Sequence, residues 1–207
     1  MLMDMTVKEF IGKVISSDPV PGGGSVSALN GALSASLAAM VANLTAGRKK
    51  YEAVDALMRD LSSRLSALVE KLACDVDRDA DAYNRVFEAF KLPKETDAEK
   101  AARSEAIQAA TKYAAEVPMD VARSVFAVLP LIREVAEKGN SNAVTDACVS
   151  MLCARTAVIG ALLNVRINLS SIKDEKYREE MAAEADKIEK ETMAAESGLL
   201  EYVKGIM

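Results

Sequence analysis

The sequence contains no histidine and no tryptophan, and aromatic residues make up only 4% of its 207 positions. The missing histidine constrains chemistry most. Without imidazole, Ser-His-Asp and Cys-His catalysis are excluded, as is a His-ligated metal, and acid–base work falls to carboxylates, Lys, Tyr, Cys or water. Cysteine is scarce: Cys74, Cys148 and Cys153 are an odd number, each inside a helical pattern and without zinc-ligand spacing. Reduced thiols in a cytoplasmic protein are the simple reading, and no metal site is expected. Positive charge is in deficit, with 26 Lys and Arg against 31 Asp and Glu and a formal net charge of −5. A nucleic-acid partner needs a basic face and is therefore not expected. No basic flank precedes an apolar run at the N-terminus, which argues against a signal peptide. Strand alternation, Asn-Gly hairpins and long internal repeats are also missing. A composition rich in Ala, Leu, Met, Glu and Lys instead predicts an all-α chain.

The chain is organised around Pro19–Tyr51, where two prolines and three consecutive glycines lead into a long run of small and apolar residues. Ser25 before that run reads as a helix N-cap, and the predicted helix extends from Ser25 to Ala46. The turn's backbone N–H groups form a candidate anion site. Arg48, Lys49 and Lys50 follow the helix, so the two ends together suggest an elongated anionic ligand. The plainer reading is a tight turn capping a core helix. The helix is long enough to span a bilayer. Its load of Ser25, Ser27, Asn30, Ser34, Ser36, Asn43 and Thr45 favours burial in a bundle instead, and no membrane partner is expected.

Thr6-Val7-Lys8-Glu9 is a capping box opening a helix through about Ser17. From Glu52 to Phe90, apolar residues from Val54 and Leu57 to Phe87 and Phe90 recur at steps of three and four. One stripe on a helix of roughly 40 residues spans about 60 Å. That length exceeds what a small domain covers and hints at a partner chain. Pro93 ends it, and Thr96 caps a helix running to about Glu116, with Pro118 as its punctuation. A further helix starts at Pro118, is interrupted near Pro130 and closes at Gly139. Asn140-Ser141-Asn142 is a polar turn before a second small-residue helix, Ala143 to about Leu169, and an amphipathic helix runs from Asp174 onward. The expected fold is one all-α domain over 1–207, a homodimeric bundle of about six to seven helices with one very long helix.

Several residues could carry chemistry. Asp75, Asp77, Asp79 and Asp81 crowd the long helix, where four carboxylates are ordinarily a solvated stripe. Asp79, however, lies at the edge of the apolar face and shares a side with Tyr83. Asp146 sits in the first turn of the second small-residue helix, where the helix dipole favours a carboxylate, with Ser150 and Cys153 continuing its face. Arg155, Asn164, Arg166 and Asn168 are polar residues in an apolar helix. Each must bond to a neighbouring helix or meet a ligand, and Asn164 and Asn168 could point into one pocket. Lys49 could bind a carboxylate or, if desolvated, shuttle a proton; an exposed helix-end charge is the alternative.

Six blocks then carry a resemblance: P-V-P-G-G-G-S at Pro19–Ser25, the run Val41–Tyr51, D-A-D-A-Y at Asp79–Tyr83, V-P-M-D at Val117–Asp120, Gly139–Asp146, and Asn164–Asp174. In this order they resemble the cyclodeaminase/cyclohydrolase family of tetrahydrofolate enzymes, which comprises the C-terminal domain of formiminotransferase-cyclodeaminase and stand-alone bacterial relatives. The resemblance implies a helical subunit that dimerises through its long helices, with folate in a cleft near the interface. It implies a tetrahydrofolate derivative as substrate and no permanently bound cofactor. Two reactions follow from it. A cyclohydrolase interconverts 5,10-methenyltetrahydrofolate and 10-formyltetrahydrofolate, whereas a cyclodeaminase converts 5-formiminotetrahydrofolate to the methenyl form with loss of ammonia.

Carried onto this sequence, Asp146 and Asp79 are candidates for acid–base work or for holding the pterin. Lys49, supported by Arg48 and Lys50, would hold the glutamate carboxylates or assist proton transfer. Pro21, Gly22, Gly23, Gly24 and Ser25 would line the ligand. Asn43, Tyr51, Asn140, Asn142, Asn164 and Asn168 complete the expected substrate contacts. The chain begins directly at the helix before the Gly turn, so a bifunctional enzyme is not expected, and the balance shifts slightly toward cyclohydrolase. A non-catalytic helical dimerisation or ligand-binding module is the reading from another class.

Overall fold

A computed structural model describes residues 1–206 of the chain and contains no strand among them. Seven α-helices follow one another: α1 (Val7–Val14), α2 (Gly23–Thr45), α3 (Asp55–Lys91), α4 (Asp97–Phe126), α5 (Leu129–Lys138), α6 (Val144–Leu169) and α7 (Glu175–Ile206). Short 3-10 turns occupy Leu2–Asp4, Lys49–Val54 and Ser141–Ala143. The capping box expected at Thr6 is formed, and the expected Thr96 cap is a capping box as well, with Glu99.

The two small-residue helices are the centre of the molecule. Ser34 and Ser150 hydrogen-bond each other, Asn140 donates its backbone N–H to Thr45 Oγ1 at 2.8 Å, and Gly160 lies against Ser27. Numbers rising on α2 as they fall on α6 make the pair antiparallel. Close approach needs small side chains: a Cβ on Gly160 would lie 2.4 Å from Ser27 Oγ, and one on Gly31 would lie 2.8 Å from Val125 Cγ2. Around this pair the core is completed by Met58, Leu61, Leu65 and Leu72 of α3, Met119 of α4, Ile132 of α5 and Leu199 of α7, all fully buried.

Three sequence expectations are corrected, and the interruption near Pro130 is found. Ser25 is not the N-cap: α2 begins at Gly23, Gly22 caps it without a side-chain bond, and the Ser25 hydroxyl turns inward to α3. Pro118 does not punctuate a helix, because α4 runs through it to Phe126. A proline removes the N–H that would bond the carbonyl four residues back, here Ala114. That carbonyl is taken instead by Asn168 Nδ2 of α6 at 2.9 Å. The helix break near Pro130 falls at Ala127–Val128, and Pro130 stands in the first turn of α5, where its missing N–H has no cost. Finally, the large side chains of the α3 stripe are buried only as far as Val76; beyond it Tyr83, Phe87 and Phe90 face solvent, and only the small Ala82 and Ala89 are buried.

Candidate active site

At one end of the α2–α6 pair, the Gly turn meets Asp79. The Ser25 hydroxyl lies 3.0 Å from Asp79 Oδ2 and 2.9 Å from the Val76 carbonyl. The Asp79 carboxyl sits so close to the turn that a Cβ on Gly24 would be 2.0 Å from Oδ1. Only glycine admits this approach. Burial raises the Asp79 pKa above the usual carboxylate range, and the hydroxyl and backbone N–H of Ser25 oppose that rise. The N-terminus of α2 thus already faces a carboxyl of its own chain. The anion-site reading of the turn is corrected to that extent, since the acceptor it meets is Asp79. Gly23 lies beside Asn164, whose Nδ2 would be 3.2 Å from a Cβ at that position. Pro21 is buried at the foot of the turn.

At the other end, Tyr51, Asn140 and Ser141 form a second cluster. The Tyr51 phenol oxygen accepts from the Ser141 backbone N–H at 3.1 Å and lies 3.3 Å from the Ser141 hydroxyl. The Ser141 hydroxyl and N–H together lower the Tyr51 pKa to about 8. Asn140 Oδ1 accepts from the Asn142 N–H at 3.1 Å, which fixes the turn. Arg48 and Lys49 are exposed beside it. They border a surface cavity of about 660 Å³ with Gly47, Glu52, Asp55 and Arg59. The Lys49 ammonium is exposed in the single chain, where it is free to bind a carboxylate. Asp146, half-buried in the first turn of α6, lies between Asn140 and Ser150, and so toward this end.

The candidates therefore fall into two groups. Pro21–Ser25, Asp79 and Asn164 gather at the start of α2. Arg48, Lys49, Tyr51, Asn140, Asn142 and Asp146 gather near its end, about 33 Å away at 1.5 Å per residue. Two candidates also tie the fold together. Asn43 Oδ1 accepts from the Ser62 hydroxyl at 2.7 Å and ties α2 to α3. Asn168 Nδ2 contacts the carbonyls of Ala114 and Asn164, both at 2.9 Å, which uses its two hydrogens. Arg155 and Arg166 pair with Glu196, and with Asp186 and Glu189, of α7. Of the acidic cluster, Asp75 is buried and held by Lys71 and Arg78, and Asp77 accepts the Leu2 N–H. Arg78 also reaches Asp120 of the V-P-M-D block at 2.9 Å. Sequence reasoning missed Thr45 and Ser141 as supports of the second cluster. Their only signal was proximity to Gly47 and to Asn140.

A sequence profile of the formiminotransferase-cyclodeaminase family matches residues 6–187. A methenyltetrahydrofolate cyclohydrolase of Methylorubrum extorquens is 39% identical over 199 residues, covering 96% of each chain. The formimidoyltransferase-cyclodeaminase of Mus musculus is 37% identical over 86% of this chain, which spans 33% of that longer protein. The crystal structure of a formiminotetrahydrofolate cyclodeaminase from Thermotoga maritima superposes over the whole chain with a TM-score of 0.88, at 30% identity and 99% coverage of that structure.

Proposed function

We propose a function from one premise: the chain belongs to the formiminotransferase-cyclodeaminase family. It is an enzyme of tetrahydrofolate one-carbon chemistry, a methenyltetrahydrofolate cyclohydrolase that interconverts 5,10-methenyltetrahydrofolate and 10-formyltetrahydrofolate. The observation that carries this choice is the end-to-end match to the bacterial cyclohydrolase. Cyclodeamination of 5-formiminotetrahydrofolate is the second reading, favoured by the close superposition on a cyclodeaminase. A cytoplasmic location belongs to the same reading, supported by the unpaired Cys74, Cys148 and Cys153.

The chemistry needs a base that can return its proton. Water adds to the cationic methenyl carbon, and Asp79 takes the water proton as the carbon becomes tetrahedral. Asp79 then delivers that proton to N5 as the carbon–N5 bond breaks. The remaining hydroxyl proton leaves to solvent, and the formyl group stays on N10. Burial raises the Asp79 pKa, which makes the carboxyl a better holder of the proton between the two halves. Ionised, it also stabilises the cationic substrate. Lys49 and Arg48, exposed and cationic, suit the glutamate carboxylates at the far end of a long ligand.

The distance between the two clusters supports a site made by two copies. Between them α2 exposes Leu33, Met40 and Leu44, and α6 exposes Val149, Leu152, Leu163 and Ile167. An exposed apolar face of this extent marks an interface. A second copy packed antiparallel across it, about a two-fold axis normal to the helices, sets the Asp79 end of one chain beside the Lys49 end of the other. Each folate would then lie between two subunits.

Purified protein should consume 5,10-methenyltetrahydrofolate faster than spontaneous hydrolysis, read as loss of the methenyl absorbance. Methenyl formation and ammonia release from 5-formiminotetrahydrofolate, without hydrolysis, would establish the cyclodeaminase reading. Silence in both assays with folded protein would leave the binding module.

A further inference from the structure

The Ser25 hydroxyl is fully buried between α2 and α3 and faces two oxygens at once, the Val76 carbonyl at 2.9 Å and Asp79 Oδ2 at 3.0 Å. A hydroxyl has one hydrogen to donate and can also accept. The Val76 carbonyl only accepts. Asp79 Oδ2 only accepts when ionised, but donates when it carries a proton. With Asp79 ionised, the Ser25 hydrogen turns to Oδ2, and the Val76 carbonyl keeps its helical bond from Ala80. With Oδ2 protonated, Asp79 donates to Ser25 Oγ and Ser25 donates onward to Val76, so both short contacts become hydrogen bonds. The carboxyl has little other freedom on this side, because the Gly24 backbone closes on Oδ1.

We propose that Ser25 is a positioning residue whose hydroxyl turns between Asp79 Oδ2 and the Val76 carbonyl as Asp79 gains and loses its proton, giving the carboxyl a hydrogen-bond partner in both halves of the reaction. The proposal rests on the reading of Asp79 as the acid–base group. The surroundings leave this role to Ser25. Helix α2 has no ionisable side chain along its length. From α6 it is Asn164 that approaches, and the nearest α6 charge, Arg166, is held by Asp186 and Glu189. On α3, Asp75 is bound by Lys71 and Arg78, Arg78 also by Asp120 of α4, and Asp77 by the Leu2 N–H, while Asp81 and Tyr83 are exposed. No charged group contributes to the Asp79 shift; burial and Ser25 are its causes.

The test combines the pH dependence of kcat with a direct titration of the Asp79 carboxyl, by carbon-13 NMR of Asp-labelled protein assigned through Asp79→Asn. A hydrogen bond to an ionised acceptor is worth more than one to a neutral acceptor. Ser25→Ala should therefore raise the carboxyl pKa by about half to one unit and move the acid limb of kcat upward by the same amount. Ser25→Cys, a weaker donor of similar size, should shift both in the same direction by less, and it carries the test if the Ala variant does not fold. A uniform loss of kcat with the carboxyl titration unmoved in the folded variants would overturn the proposal. Full activity in Asp79→Asn would overturn the acid–base reading instead, and the titration would still report whether Ser25 and Asp79 are paired.

Discussion

Asn168 shows how a residue suited to a binding site can be claimed by the fold. Its amide takes the Ala114 carbonyl that Pro118 leaves without a helical donor. Asn168→Ala should destabilise the protein by about 1–3 kcal/mol, the cost of an unsatisfied buried carbonyl. In a Pro118→Ala background the backbone N–H returns, and the same Asn168→Ala change should cost less than half as much. Denaturant unfolding of the four proteins measures the coupling, and additive losses would refute the pairing. The sequence signalled that Asn168 needed a partner, since it is polar in an apolar helix. It could not signal which partner, because Ala114 lies 54 positions away and is unusual only through Pro118. Pro118 itself was read as a helix end for want of that same long-range fact. Asp79 was more legible: its place at the edge of an apolar stripe pointed inward, and it does pack against α2. Its pairing with Ser25 was hidden because a serine after three glycines reads as a cap.

At the scale of elements, α2 and α6 explain why two helices of mostly Ala, Ser, Gly, Leu and Val form the centre. Small side chains let the backbones approach, and apart from Ser25, which turns to α3, buried hydroxyls such as Ser34, Ser150 and Ser27 are satisfied within the pair or by their own helix. Ser34 and Ser150 bond each other, and Ser27 bonds the Gly23 carbonyl at 2.7 Å. Gly160→Ala should cost about 1–3 kcal/mol, since its Cβ would meet Ser27 Oγ at 2.4 Å in a packed interior. Ser27→Ala removes that oxygen, and the next atom, Ser27 Cβ, lies at an ordinary 3.5 Å. The double variant should therefore recover most of the loss, helped by alanine's better helix propensity. Thermal unfolding decides: no recovery would mean that α2 and α6 do not meet at this pair. Composition made the close-packed helices legible, and the capping boxes, Pro93 and Gly139 placed most of the boundaries. The antiparallel register was not legible, because small residues repeated along both helices fit several registers equally well. It is set by sparse contacts such as Thr45 with Asn140.

For the whole molecule, the long α3 suggested a partner chain, yet the strongest argument for one comes from the separation of the two residue clusters. A single chain keeps Asp79 and Lys49 at opposite ends of α2, whereas antiparallel pairing across the exposed faces of α2 and α6 brings together one of each. This arrangement predicts complementation between defective chains. Asp79→Asn and the double variant Arg48→Ala/Lys49→Ala should each be nearly inactive as homodimers. Mixed dimers would hold one site with every defect and one site with none. Unfolding and refolding an equimolar mixture should thus restore about a quarter of wild-type activity, because half of the randomly paired dimers are mixed and each has one intact site of two. Sedimentation before and after mixing verifies that both variants remain dimeric. If activity stays at the level of the separate variants while mixed dimers form, each site is built within one chain. Full activity of the Arg48→Ala/Lys49→Ala protein by itself would assign the Lys49 cluster to some other function of this surface.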